Sequence, residues 1–154
     1  MTLRPMTAAD GPALLEFFRR IPEHDRFFLK DDVASEEVVQ GFVTKLDYDR
    51  ALPLLALDGE RIVANAVLVR HRGGYRRLEG ECRLMVDPDY RNRGLGVALI
   101  QELADIAWDA ELEFLTFELI RDVQADAISA AEFVGAFSVG AVSEFARDEA
   151  GRLH

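Results

Sequence analysis

The residues of this chain best suited to chemistry lie in one run, Leu84-Met85-Val86-Asp87-Pro88-Asp89-Tyr90-Arg91-Asn92-Arg93-Gly94-Leu95-Gly96-Val97. An apolar strand pattern stops at Asp87-Pro88, a basic loop with two glycines follows, and a helical pattern opens at Gly94. Backbone N–H groups at a helix start have no partner one turn back and sit at the positive end of the helix dipole, so such a turn collects anions. Glycine at 94 and 96 lets a phosphate approach the backbone, and Arg91 and Arg93 add positive charge. The chemistry indicated is pyrophosphate binding. A P-loop needs a lysine and a hydroxyl residue after its second glycine, and neither follows Gly94 or Gly96. A dinucleotide fingerprint needs a third glycine where Leu99 stands.

What fits is Arg/Gln-x-x-Gly-x-Gly/Ala behind a strand ending in Val-x-Pro, and here the sequence resembles the GNAT family of N-acetyltransferases. The opening Arg4-Pro5-Met6-Thr7-Ala8-Ala9-Asp10 is similar to that of bacterial members acting on protein lysines or small amines. The resemblance implies that the loop Arg91, Asn92, Arg93, Gly94, Leu95, Gly96 and Val97 wraps the pyrophosphate of acetyl-CoA. It implies that Leu84, Met85 and Val86 offer backbone groups to the pantetheine arm, which pairs as an added strand, one N–H polarising the thioester carbonyl. Gln124 matches a position where an amide bonds the cofactor, or else it caps a helix. The tyrosine that protonates the departing thiolate in this family falls on Ala131, so that acid is missing.

An ammonium has no lone pair, so acetyl transfer to an amine needs a proton acceptor. Glu81, on the strand leading into the loop, is the candidate catalytic base, with Glu79 as a weaker substitute. The competing reading is a structural carboxylate paired with Arg83 or Arg77. The function expected is an acetyl-CoA-dependent N-acetyltransferase acting by direct attack on an amine, either a small molecule or a protein lysine. The alternative is a non-catalytic acyl-CoA sensor. Cys82 reads as a small buried residue.

These residues need a frame. Leu3 to Met6 reads as a strand, followed by a helix capped by Asp10 with Leu14, Phe17, Phe18 and Ile21 on its apolar face. A second helix opens at Ser35, with Val38, Val39, Phe42 and Leu46 as its expected stripe. Leu52 to Leu57 and Ile62 to Arg70 form a hairpin about Asp58-Gly59, and Gly80 to Val86 is the next strand. A helix from Gly94 to about Ala110, a strand from Phe114 to Ile120 and a helix from Ala125 to Val134 complete a crossover. Phe137 to Ala146 reads as a last strand. The order β-α-α-β-β-β-α-β-α-β describes an α/β fold, a GNAT-like mixed sheet flanked by helices, with its last strand short or absent.

Composition bounds the function. The 154 residues, 49% apolar, suit one domain spanning 1–154. Cys82 is the only cysteine and the three histidines lack ligand spacing, so neither a disulfide nor a metal is expected. The net charge of -10 argues against nucleic acid and suits a cationic partner such as a protonated amine. No apolar run approaches the roughly 20 residues of a membrane span, and Pro5 and Asp10 fall where a secretory signal would be apolar. The expectation is a cytoplasmic protein, a monomer or homodimer, with no membrane partner.

Overall fold

The computed structural model describes residues 1–154. Strand β1 (Thr2–Pro5) leads through a 3-10 turn at Ala8–Asp10 into helix α1 (Gly11–Arg20), then short α2 (Glu23–Arg26) and α3 (Glu36–Thr44). Strands β2 (Ala51–Asp58), β3 (Arg61–Arg70) and β4 (Glu79–Val86) follow, then α4 (Leu95–Asp109), β5 (Phe114–Thr116) and α5 (Ala125–Phe133). The sheet runs β1-β2-β3-β4-β5; every pair is antiparallel except β4–β5, which α4 joins as a crossover.

Period-two alternation divides the core. Leu55 and Leu57 face α1 and α3, where they meet Leu14, Phe17, Val39 and Val43. Leu54, Ala56, Ala66 and Leu68 face α4, where they meet Leu95, Leu99 and Leu103. Phe17 and Phe18 therefore belong to the core, whereas Phe27 stands exposed. On α3 the buried residues are Val39 and Val43, four apart as one helical face requires. Of the rest of the expected stripe, Phe42 and Leu46, the latter just past the helix end, pack partly buried against this core, and with Val38 they also line a cavity.

Two expectations are corrected. The strand foreseen from Phe114 to Ile120 ends at Thr116, because its parallel pairing with β4 stops at the Glu81–Thr116 row. The strand foreseen over Phe137 to Ala146 is absent, and Phe137, Val139, Val142 and Phe145 are exposed. A strand holds only against a partner ladder, and a three-residue β5 offers almost none. Gly135, at φ 100°, turns the chain out of α5, and the only later β contact is the bridge Arg147–Leu153.

Candidate active site

The site begins where the sheet splits. Asp87 N–H donates to the Val63 carbonyl at 2.9 Å. The alternation of an antiparallel ladder then turns the backbone groups of Met85, Arg83 and Glu81 toward β3, and those of Leu84 and Cys82 away from it. On that outer side β5 ends at Thr116, so beyond Cys82 the edge of β4 has no strand partner; the Leu84 N–H and C=O are left free, and the Val86 C=O accepts only from Arg91 Nε. Their side chains separate too: Met85 packs on the α1–α3 layer, while Cys82, Leu84 and Val86 pack on the α4 layer.

Below the split lies the basic turn. Asp87 is buried at 2% exposure and accepts from Arg20 Nε (3.2 Å), Arg61 Nη2 (2.9 Å) and the Asp89 N–H (3.1 Å). Three donors make its burial tolerable and clamp the loop that follows. Asn92 and Gly94 both take positive φ, 57° and 78°, and bring the chain round into α4. The first helical N–H groups, of Leu95, Gly96 and Val97, find no partner within the chain. A cleft of about 310 Å³ opens on them. Leu84, Met85 and Val86 form one wall; Arg91, Asn92, Gly94, Leu95, Gly96 and Val97 form the floor; Gln124 and α5 close the third side. This fits a ligand with an anionic, phosphate-bearing middle and an extended polar arm that can pair with β4.

Of the residues expected to bind the cofactor, only Arg93 stays outside the cleft: its guanidinium covers the Tyr90 ring at 5.4 Å. Arg91 enters the cleft but is already engaged, donating from Nη2 to Asp25 Oδ2 at 2.7 Å and from Nε to the Val86 carbonyl at 3.2 Å. Gln124 Oε1 accepts from the Ile120 N–H at 2.6 Å, so its oxygen is spent on the turn before α5 while the residue still lines the cleft. Ala131, where the resemblance sets the acid, is buried and does not reach the cleft. Ser129 does, and its hydroxyl is the only one that α5 presents there.

Glu81 sits at the split. Its carboxylate accepts from Lys30 Nζ at 2.8 Å and from Arg83 Nε at 2.9 Å; Arg77 is not involved. Burial raises its proton affinity, but hydrogen bonds and charge from Arg83 and Lys30 outweigh that and hold the carboxyl at about 2. Lys30 also reaches Glu118 Oε2 at 3.4 Å, across the split. Glu79 is fastened by Arg76 Nε (2.7 Å) and Thr116 Oγ1 (2.8 Å) and held at about 2 by those bonds. Burial, with the charge of Glu81 beside it, pushes the Cys82 thiol up to about 12, so it is no nucleophile at neutral pH. No group of three or more His, Cys, Asp or Glu is placed to hold a metal ion.

A second, larger cavity of about 820 Å³ lies on the α1–α3 face, between the sheet, α3 and the strap joining α2 to α3. Leu84 and Met85 line both spaces, so the two meet at β4. Asp25 and Lys30 were not foreseen from sequence. Each meets its partner across more than fifty residues of chain, and no local pattern announces such pairs.

The architecture is that of an α/β protein whose sheet opens beside a helix N-terminus, with a second cavity that meets this cleft at β4. The family profile described as acetyltransferase (GNAT) matches residues 12–135, and the chain belongs to that family. It is an N-acetyltransferase, of a family whose acetyl donor is acetyl-CoA. Its fold is similar to that of a GNAT acetyltransferase from Streptococcus pneumoniae, with a TM-score of 0.83 and 21% identity over 99% of this chain and 93% of that one. A ribosomal-protein-alanine N-acetyltransferase from Brucella melitensis gives 0.82 and 21%, over 99% and 94%. An aminoglycoside acetyltransferase from an uncultured soil metagenomic sample gives 0.68 and 17%, over 94% and 93%. No curated protein sequence is significantly similar to this chain. No helix is long and apolar enough to cross a membrane.

Proposed function

We propose that the chain acetylates a primary amine by direct attack, with the β4–α4 cleft as donor site and the larger cavity as acceptor site. The observation that carries this reading is that the two spaces meet at Leu84 and Met85, on the stretch of β4 whose outer backbone edge is unpaired. Bound in the cleft, acetyl-CoA supplies a thioester carbonyl and a leaving thiolate. The free N–H of Leu84 is the donor available to oxygen charge developing at that carbonyl. The unpaired N–H groups of Leu95, Gly96 and Val97 receive the pyrophosphate, and Arg91 joins them once Asp25 gives way.

The acceptor nitrogen comes from the α1–α3 side and takes the place of the Lys30 ammonium beside Glu81. The ammonium first gives one proton to Glu81, directly or through water, which frees its lone pair; attack then forms the C–N bond as the C–S bond breaks, and the second nitrogen proton passes to water. The thiolate leaves unassisted or is protonated by water, since a thiol pKa near about 8.5 makes it a fair leaving group. The whole chain acts as one domain in a cytoplasmic setting.

The second reading is a sensor that binds acyl-CoA without turnover. It draws on the ion-paired state of Glu81 and on the burial of Ala131 where an acid is expected. Thiol release from acetyl-CoA over a panel of primary amines separates the two. Release that depends on amine supports transfer, whereas CoA binding with no release from any acceptor would sink it.

A further inference from the structure

We propose that Lys30 is a self-acetylation site: with acetyl-CoA in the β4–α4 cleft and no external amine present, the chain transfers one acetyl group to its own Lys30 Nζ, with Glu81 taking the proton. This rests on the reading of that cleft as the donor site and of Glu81 as the base.

Side-chain amines are scarce in this chain. Of its 18 Lys and Arg residues only Lys30 and Lys45 are lysines. A guanidinium stays protonated and is no nucleophile at neutral pH, whereas an ammonium that gives up one proton becomes one. Both lysines line the cavity on the α1–α3 face, and only Lys30 reaches the reacting centre. Its Nζ lies 2.8 Å from Glu81 Oε1, within the hydrogen-bond reach that a base needs of the proton it takes. Lys45, just past the end of α3, bonds to neither Glu81 nor Glu118.

The fold holds the Lys30 ammonium in this place. Lys30 belongs to the strap between α2 and α3, which is pinned on both sides of it: Leu29 packs on the α1–α3 core and Val33 is buried. Nζ bridges Glu81 on β4 and, at 3.4 Å, Glu118, two residues past the end of β5, so it lies over the opening of the split. That opening is the side to which β4 turns the free N–H of Leu84, and Leu84 and Met85 line the same cavity as Lys30. The side chain is 41% exposed, and its four-carbon stem lets Nζ move along β4 from Glu81 toward Leu84. Pairing of the Glu81 charge alone does not require a lysine there, since Arg83 already supplies a partner at 2.9 Å.

The step balances with acetyl-CoA as the only co-reactant. Lys30 gives one Nζ proton to Glu81, and the lone pair so exposed attacks the thioester carbon. The C–N bond forms as the C–S bond breaks, its electron pair leaving on sulfur. The second Nζ proton passes to water, and the thiolate takes up one proton in turn. The products are acetylated Lys30, CoA thiol and one proton. The neutral amide has no charge for Glu81 or Glu118 and no basic lone pair, so the reaction stops at one acetyl per chain.

The test follows the whole chain with acetyl-CoA and no added amine, by intact mass, peptide mapping and thiol release. The expected result is a gain of about 42 Da on Lys30, matched by one equivalent of thiol. Its first-order rate constant is unchanged over an about tenfold range of protein concentration, as transfer within one chain requires. Lys30→Arg, which keeps the charge, abolishes both signals, and Glu81→Gln slows them by about 10²-fold. Calorimetry with CoA, in which both variants match wild type, reports that they are folded. A label on Lys45 or on the Met1 amine in place of Lys30, an equal rate in Glu81→Gln, or a rate constant that climbs with protein concentration would each overturn the proposal. Amine-dependent thiol release from a chain that stays unlabelled would overturn it too, while leaving acetyl transfer standing. Lys30 labelled without release to any external amine would remove the external acceptor and leave self-acetylation in place. CoA bound with neither label nor release overturns both.

Discussion

Removing the Lys30 ammonium probes the reacting centre most directly. Glu81 is held at about 2, against 4.5 for an ordinary glutamate, by two cations whose side chains are 41% and 40% exposed. Each unit is worth about 1.4 kcal/mol; after discounting for that solvent access, the pairing makes a proton on Glu81 dearer by about 2 kcal/mol. Lys30 and Arg83 share the effect, so Lys30→Met returns about 1 kcal/mol, a roughly fivefold gain in proton affinity. A carbon-detected NMR titration of the Glu81 carboxyl, in wild type and variant, reads this as an upward move of the midpoint. If Glu81 is the base, kcat of Lys30→Met rises by up to about fivefold, while Glu81→Gln lowers kcat by about 10²-fold and leaves the acetyl-CoA Kd unchanged. A Glu81→Gln enzyme within about threefold of wild-type kcat would refute the reasoning, since general-base catalysis is worth far more than that. Glu81 would then be the anchor of Lys30 and Arg83 and nothing more.

Asp25 competes with phosphate for Arg91, so Asp25→Asn should tighten CoA binding by roughly fivefold in calorimetry, the worth of one partly exposed ion pair; weaker binding would mean that Asp25 orients the arginine instead. A β-carbon at Gly80 would lie 2.6 Å from Leu68 Cδ1, 3.0 Å from Leu112 Cδ1 and 3.1 Å from Leu115 Cδ2. Three leucines must therefore shift, and Gly80→Ala should cost about 1–3 kcal/mol in urea denaturation, loosening the β4–β5 pair first. Glu79 and Glu81 both have carboxyls lowered to about 2 in the folded chain, so their ionised forms stabilise it. That contribution is complete above pH 4.5 and is lost as pH falls from there through about 2, which urea midpoints across the window will register as a decline. A flat midpoint through that window would show that both groups titrate alike folded and unfolded.

The cleft proposed as the donor site was legible because its parts are neighbours in sequence. Strand end, glycines and helix start are one covalent run, and helix geometry alone leaves the N–H groups of Leu95, Gly96 and Val97 free. The hairpin about Gly59 and the alternation of Leu54, Leu55, Ala56 and Leu57 were legible for the same reason. Of the partners of Glu81, Arg83 was legible at two residues' distance, whereas Lys30, which shares in setting its state, comes from fifty-one residues away and was not. Nor can spacing choose between a phosphate and the face of Tyr90 as the resting place of the Arg93 guanidinium, which covers that ring. The last strand failed differently: alternation at Phe137 and Val139 tells which residues share a face, but a strand is a property of a pair. With β5 ending at Thr116, the pattern has no ladder to join.

Charge gives the same lesson for the acceptor. A total of -10 is a sum over the surface, and in salt an ion feels charges beyond about 8–10 Å only weakly. What an acceptor meets is therefore the lining within that radius. At β4 it finds Glu81 and Glu118 bridged by the Lys30 ammonium. An incoming ammonium must therefore displace a cation that the chain itself supplies, and the charge of the protein as a whole does nothing to lower that cost.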